Sequence, residues 1–187
     1  VPPAERYRIA TEQVVHAERH GFSTAWVAQH HFHGAEGGLP APLVLLGHLA
    51  GLTSTIRLGT GVICLPMEDA VRTAEDAAVV DALSGGRLEV GIATGGNPSS
   101  FATFGLDFAD RHRLSSDKLA TLRQAWAGEP INGTDNRLYP AAPGLLDRVW
   151  QATFSVEGGV RAGADGDGLM LSRTQPRSTD ALHAPLS

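Results

Sequence analysis

The chain has 187 residues, 42% hydrophobic and 19% charged, with a formal net charge of -5. Such a length can bury a sizeable core and the composition is ordinary for a globular protein, while the acidic balance leaves no basic footprint for nucleic acid. Cys64 is the only cysteine, so no disulfide forms within these residues, and no apolar run is long enough to cross a bilayer.

The start carries no signal-peptide pattern, so a cytoplasmic protein is expected, with neither a membrane nor a nucleic acid as partner. Residues 4–20 read as a helix. Ile9, Val14, Val15 and Ala17 supply its apolar face, and Gly21 stands where a C-terminal cap belongs. Residues 23–28 (Ser-Thr-Ala-Trp-Val-Ala) read as a short strand of buried type. Residues 29–39 form a polar, glycine-rich loop that opens on Gln29-His30-His31-Phe32-His33. Residues 40–52 read as a helix with Pro40 in its first turn.

The next strand is expected over 56–65, a helix over 70–83, a strand over 87–93 and a loop over 95–100. Cys64 is expected to act as a small core hydrophobe. Residues 108–126 read as a longer helix that carries Lys118, the only lysine. Residues 128–144, with Pro130, Pro140, Pro143 and the Asn132-Gly133 pair, read as an irregular excursion. A strand over 149–154, a helix over 156–162 and a strand over 167–171 follow, and no element is expected beyond 175.

This alternation predicts an α/β fold with a parallel sheet, whose strand C-terminal ends gather at one rim where chemistry is usually built. Five strands are expected, whereas a closed (β/α)8 barrel needs eight and about 250 residues. A doubly wound sheet is the competing architecture. Against it, no strand-turn-helix carries a G-x-G-x-x-G fingerprint, and Gly85-Gly86 precedes a strand instead of following one. His31 and His33 have the alternate spacing that turns two imidazoles to one side of a strand, as in metal-dependent barrel hydrolases. The later rims offer Thr94, Ser155 and Ser172 where further His and Asp ligands would be needed, so no metal site is assigned. Asp81 and Arg87 flank the turn at the opposite end of the strands, where they are expected to serve stability as hydrogen-bond partners of each other.

Seven segments occur in order. They are Trp26-Val-Ala-Gln-His-His-Phe-His33, Gly37-Gly-Leu-Pro40, Ile56-Arg-Leu-Gly-Thr-Gly-Val-Ile-Cys-Leu-Pro66, Asp81-Ala-Leu-Ser-Gly-Gly-Arg-Leu-Glu-Val-Gly-Ile-Ala-Thr-Gly-Gly96, Asn97-Pro-Ser-Ser-Phe101, Trp150-Gln-Ala-Thr-Phe-Ser-Val-Glu157 and Gly166-Asp-Gly-Leu-Met-Leu-Ser-Arg173. Together they resemble the bacterial-luciferase-like family of flavin-dependent monooxygenases, over nearly the whole chain. The resemblance implies an α/β (β/α)8 TIM barrel represented by an incomplete set of strands. Residues 1–187 would form a single barrel domain lacking the first strand and the C-terminal strands. It further implies reduced FMN at the C-terminal rim, O2 and a small organic substrate to be oxygenated. An F420-dependent hydride-transferring oxidoreductase and a non-catalytic flavin-binding protein are the alternatives. A separate flavin reductase and a second copy of the chain are the implied partners.

The same resemblance assigns roles by position. His30 matches the histidine placed near the reactive edge of the flavin, for acid–base work or hydrogen bonding. Gln29 stands where the family commonly has Glu, so a carboxylate for the histidine pair is missing from that position. Gly61 and Val62 match a pair that often carries a non-prolyl cis peptide against the flavin ring. Thr94 and Gly95 match the rim position at which luciferase has an arginine for the phosphate. Thr153 and Ser155 match the strand-to-helix junction that holds the FMN phosphate, where free N–H groups and hydroxyls suit an anion.

Overall fold

The computed structural model describes residues 1–32 and 34–171. Helix α1 (Pro3–Arg19) opens with proline in its first turn and precedes strand β1 (Thr24–Val27). Helix α2 (Pro42–Ala50) and strand β2 (Arg57–Thr60) follow. Next come the two-residue strand β3 (Ile63–Cys64) and a 3-10 turn, Leu65–Met67. Helix α3 (Ala70–Ser84) starts where the Asp69 carboxylate accepts from Arg72 N–H and stops at Gly85, whose φ of 66° is left-handed. Strand β4 (Leu88–Ala93), helix α4 (Pro98–Thr103) and helix α5 (Arg111–Trp126) come next. Strand β5 (Val149–Thr153), helix α6 (Val156–Asp165) and strand β6 (Gly168–Leu171) complete the described residues.

The strands are parallel and ordered β1-β2-β4-β5-β6, with β3 beside the end of β4. They form an open arc of a barrel with helices on its outer side, as an incomplete TIM barrel requires. Alternation along the strands separates two faces. Leu58, Leu88, Val90, Ile92 and Val149 face outward and join Leu46, Leu49, Ala74, Ala77, Leu122 and Trp126 of α2, α3 and α5 in the buried core.

The inner face is built differently. A Cβ on Gly59 would lie 2.1 Å from the Trp26 ring, and one on Gly168 would lie 2.3 Å from the Trp150 ring. Both glycines therefore give an indole room to lie flat across a neighbouring strand. The two indoles meet edge to face, with centroids 5.5 Å apart and planes at 78°. Glu89 on the same face is buried, accepting from Trp150 Nε1 at 2.7 Å and from Arg57 Nε.

Three expected elements change form. The single strand expected over 56–65 is two strands and a 3-10 turn, because the run changes neighbours. β2 pairs with both β1 and the start of β4, whereas β3 pairs only with the end of β4. Part of the loop expected over 95–100 is α4, where the Asn97 side chain accepts from Ser99 N–H and Pro98 fills the first turn. The helix expected from 108 begins at Arg111, after a 3-10 turn over Phe108–Asp110. The described residues thus hold six strands, one more than expected. Residues beyond 175 lie outside the described ones, as do His33 and Ser172.

Asp81 and Arg87 do lie at the N-terminal ends of the strands, but they do not pair with each other. Asp81 takes Arg148 in a two-pronged ion pair, at 2.6 and 3.0 Å. Arg87 instead donates to the carbonyls of Ala50, Thr53, Ile56 and Ser84 and to the Thr53 hydroxyl. Helix α1 is fastened to the same end by Glu18, whose Oε1 accepts the N–H groups of Ser54, Thr55 and Ile56 at 2.7 to 2.9 Å. Those backbone bonds, led by Ile56 and Thr55, hold the Glu18 carboxyl down at about 2. Because the folded value is depressed, the contribution is full above the usual carboxylate range. It is lost as pH falls from there through about 2. Solvent screening limits it to about 1 kcal/mol. Urea unfolding between pH 6 and pH 3 is expected to show a smaller acid loss for Glu18→Gln than for the unaltered chain. Parallel curves would refute the assignment.

Candidate active site

The C-terminal rim carries the candidate residues in strand order: His30 after β1, Gly61 and Val62 after β2, Thr94 and Gly95 after β4, and Thr153 and Ser155 at the end of β5. The segment leading into His30 and the Gly61–Val62 pair are hydrogen-bonded to each other. Gly61 N–H donates to the Val27 carbonyl at 2.7 Å, and Gln29 N–H donates to the Val62 carbonyl at 3.3 Å. The Gly61–Val62 peptide is cis. His30 N–H donates to the Leu39 carbonyl at 2.9 Å, closing the loop back on itself. Its ring carbon Cδ2 lies 3.6 Å from where a Cβ on Gly37 would stand. The loop is fastened from α1, where Arg6 Nη1 donates to the carbonyls of Gly34 and Gly37 and Tyr7 Oη to that of Gly38.

His31 lies in an aromatic corner, edge-on to Phe104 at 5.0 Å and tilted against Phe32 at 5.8 Å. Its Nε2 is buried without a hydrogen-bond partner. Burial pulls its pKa below the ordinary value, Glu68 opposes that, and His30 adds to it. His31 is therefore a neutral imidazole at pH 7, with a nitrogen available to a bound molecule.

Gln29 is buried and uses its whole amide. Nε2 donates to the Pro40 carbonyl at 2.9 Å and to Glu68 Oε1 at 2.6 Å, while Oε1 accepts from Cys64 N–H at 2.7 Å. The carboxylate absent at position 29 is thus present next to it, on Glu68, a residue the sequence reading did not single out. Its signal was faint, a Glu two residues before a helix and next to that helix's Asp69 cap. Lys118 of α5 holds that segment by donating to the carbonyls of Pro66 and Glu68, at 2.6 and 2.5 Å. Cys64 is a half-buried thiol pushed up to about 11, chiefly by burial, so it stays protonated, in keeping with a packing role.

Thr94 and Gly95 stand apart from the histidines. Thr94 borders a cavity of about 330 Å³ between the ends of β4 and β5 and helices α5 and α6, with His112, Ser116, Arg123, Gln151 and Arg161. Arg123 donates to both Asp167 oxygens at 2.7 Å, yet its Nε is buried without a partner. Two arginines, a histidine and Asp165 thus line the cavity beside Thr94, with Arg123 paired to Asp165 and Asp167. Gly95 has a φ of 76°, and a Cβ there would press on the buried Phe101 ring at 3.1 Å.

Thr153 and Ser155 form one hydroxyl pair at the start of α6. Ser155 Oγ accepts from Gly158 N–H, and Ser155 N–H donates to Thr153 Oγ1, each at 3.1 Å. Ser155, Val156 and Glu157 at the start of α6 are exposed, whereas Gly158 and Gly159 are buried. Among the described residues no group of three or more His, Cys, Asp or Glu is placed to hold a metal ion.

The luciferase-like monooxygenase family model matches residues 1–183. The uncharacterized protein y4vJ of Sinorhizobium fredii is 34% identical over 173 residues, covering 88% of this chain and 49% of that protein. Limonene 1,2-monooxygenase of Rhodococcus erythropolis is 28% identical over 179 residues, covering 91% of this chain and 46% of that protein. The chain therefore spans about half the length of these curated relatives. Two solved structures share the fold. The oxygenating constituent of 3,6-diketocamphane monooxygenase from Pseudomonas putida, solved with FMN, matches with a TM-score of 0.82 at 16% identity, over 91% of this chain and 54% of that one. An F420-dependent secondary alcohol dehydrogenase bound to an F420-acetone adduct matches with a TM-score of 0.76 at 21% identity, over 89% and 54%.

Proposed function

The chain belongs to the luciferase-like monooxygenase family, and from that premise we propose that its rim binds reduced FMN and uses O2 to oxygenate a small organic substrate. The observation that carries this reading is the corner where Gln29 N–H donates to the Val62 carbonyl. It ties the segment that leads into His30 and His31 to the Gly61–Val62 backbone, whose glycine packs so closely against Trp26 that a Cβ there would lie 3.2 Å from it. The buried, unpartnered Nε2 of His31 offers a flavin ring a hydrogen bond.

The residues present fit a flavin mononucleotide. When bound, the reduced flavin would supply the electrons for oxygen chemistry. Gly61 and Val62 would line its ring system. Thr153, Ser155 and the first N–H groups of α6 would hold its phosphate, with Thr94 and Gly95 on the neighbouring part of the rim. His30 would hold or move a proton at the reactive edge. Phe32 and Phe104 would keep water from that edge. The reduced flavin would come from a separate reductase, and a second copy of the chain is the expected partner.

Anaerobic titration with reduced FMN tests this reading. Saturable binding followed by O2-dependent turnover of an added substrate is expected. Preferential binding of F420 with turnover lacking O2 would replace it by hydride transfer, and tight flavin with no turnover by a non-catalytic holder. Failure to bind any of these overturns it. The phosphate assignment has its own test. Ser155→Ala is expected to weaken FMN about tenfold, corresponding to ~1.4 kcal/mol, and to leave riboflavin affinity unchanged. Equal losses for both would mean that only the helix cap, itself worth about 1 kcal/mol, had been removed.

A further inference from the structure

Gln29 has no remaining hydrogen-bonding capacity on its donor side, since both hydrogens of Nε2 are committed to two acceptors, the Pro40 carbonyl and the Glu68 carboxylate. A glutamate at 29 would turn an acceptor toward both. It would also bring two carboxylates within hydrogen-bond distance, and one of them would have to take up a proton. The amide at 29 and the carboxylate at 68 are therefore chemically interdependent. The neutral residue is required at 29 because the negative charge of this corner sits at 68.

We infer that Glu68 is a positioning residue for the His30–His31 pair, holding the loop through its hydrogen bond with Gln29 and setting the charge felt by His31. Gln29 immediately precedes the two histidines, so fixing its side chain fixes the backbone from which they project. Glu68 is held in turn by Lys118, whose Nζ donates to the carbonyls on either side of Met67. Among the described residues the charged and titratable groups around His31 are these. Glu68 acts from the segment before α3, His30 from its own loop, and Lys118 and Asp69 act on the Glu68 segment. The Cys64 thiol stays neutral, and Phe104, from the end of α4, carries no charge.

The kinetic part of this inference rests on the flavoenzyme reading, whereas its titration part does not. Glu68→Gln keeps an acceptor for Gln29 Nε2 and removes only the charge. The ring signals of His31, followed by NMR against pH, are expected to titrate at a lower midpoint in that variant. In the loaded enzyme kcat is expected to fall about tenfold, within what misplacing a reacting group costs, with KM unchanged. Gln29→Glu is expected to lose more, and to regain activity as pH falls and the facing carboxylates share a proton. The double variant Gln29→Glu/Glu68→Gln puts one charge back and restores the 29–68 hydrogen bond but not the one to Pro40, so it is expected to lose clearly less than the two single losses multiplied.

An unchanged His31 midpoint in Glu68→Gln would overturn the inference, as would a double variant whose losses simply multiply. If no version turns over but the midpoint shifts and the double variant restores it, the positioning inference stands and the flavoenzyme reading fails.

Discussion

Replacing Arg87 with alanine is expected to unfold the chain under conditions in which the unaltered form is folded. The guanidinium donates to the carbonyls of Ala50, Thr53, Ile56 and Ser84 and to the Thr53 hydroxyl, at 2.6 to 3.2 Å. These groups lie where the end of α2, the end of α3 and the start of β2 converge, and Thr53 is itself buried. Alanine removes every donor at once and leaves acceptors with no partner. A buried unsatisfied acceptor costs about 1–3 kcal/mol. Water reaches some of these groups, so the expected loss is on the order of 3–5 kcal/mol, a large part of a typical domain's stability.

Lysine at 87 should recover only part of that. Its ammonium is a point donor that cannot span acceptors on three segments. Arg8→Ala is the control. Arg8 pairs with Glu5 and Glu12 on the exposed face of α1, and removing such a pair changes stability by less than about 0.5 kcal/mol. Urea midpoints for the three variants decide the matter. An Arg87→Ala midpoint as close to the unaltered value as that of Arg8→Ala would show that water substitutes freely for the guanidinium.

The sequence made the repeating strand-helix order legible because each outward-facing apolar pattern, such as Leu88-Val90-Ile92, serves a single core. What it hid were features that depend on two distant segments at once. Nothing local says that Asp81 meets Arg148, 67 residues on, and proximity in sequence pointed wrongly to Arg87. The break between β2 and β3 was invisible for the same reason. The run 56–65 is mostly apolar, and its change of neighbours divides it. Helix α4 was legible, since Asn97-Pro98 is a cap followed by a first-turn proline, but the glycines before it argued for loop.

The rim divides along similar lines. Periodicity could place Thr94, Thr153 and Ser155 at strand ends, and resemblance alone pointed to Gly61 and Val62. The carboxylate near the histidines could not be read from the motif, because it comes from Glu68, 39 residues from Gln29. An absent residue at one position was a poor guide to an absent charge at the site. The same holds at Thr94, where Arg123 and Arg161 arrive from two helices.

His30→Ala should then separate chemistry from binding. If His30 holds the proton at the reactive edge of the flavin, its loss removes a positioned acid–base group, an effect of about 10²- to 10⁴-fold on rate. Flavin affinity should change by less than about threefold, since the ring and phosphate contacts proposed here come from Gly61, Val62, Thr153 and Ser155. The backbone of the loop should survive, because it is tied through the amides of Gln29 and His30. Stopped-flow reoxidation of the bound reduced flavin, with product measured in parallel, reads the two effects apart. Turnover that falls only as far as affinity does would make His30 a binding residue. Turnover unchanged would transfer the acid–base role to His31, whose buried Nε2 already lacks a partner.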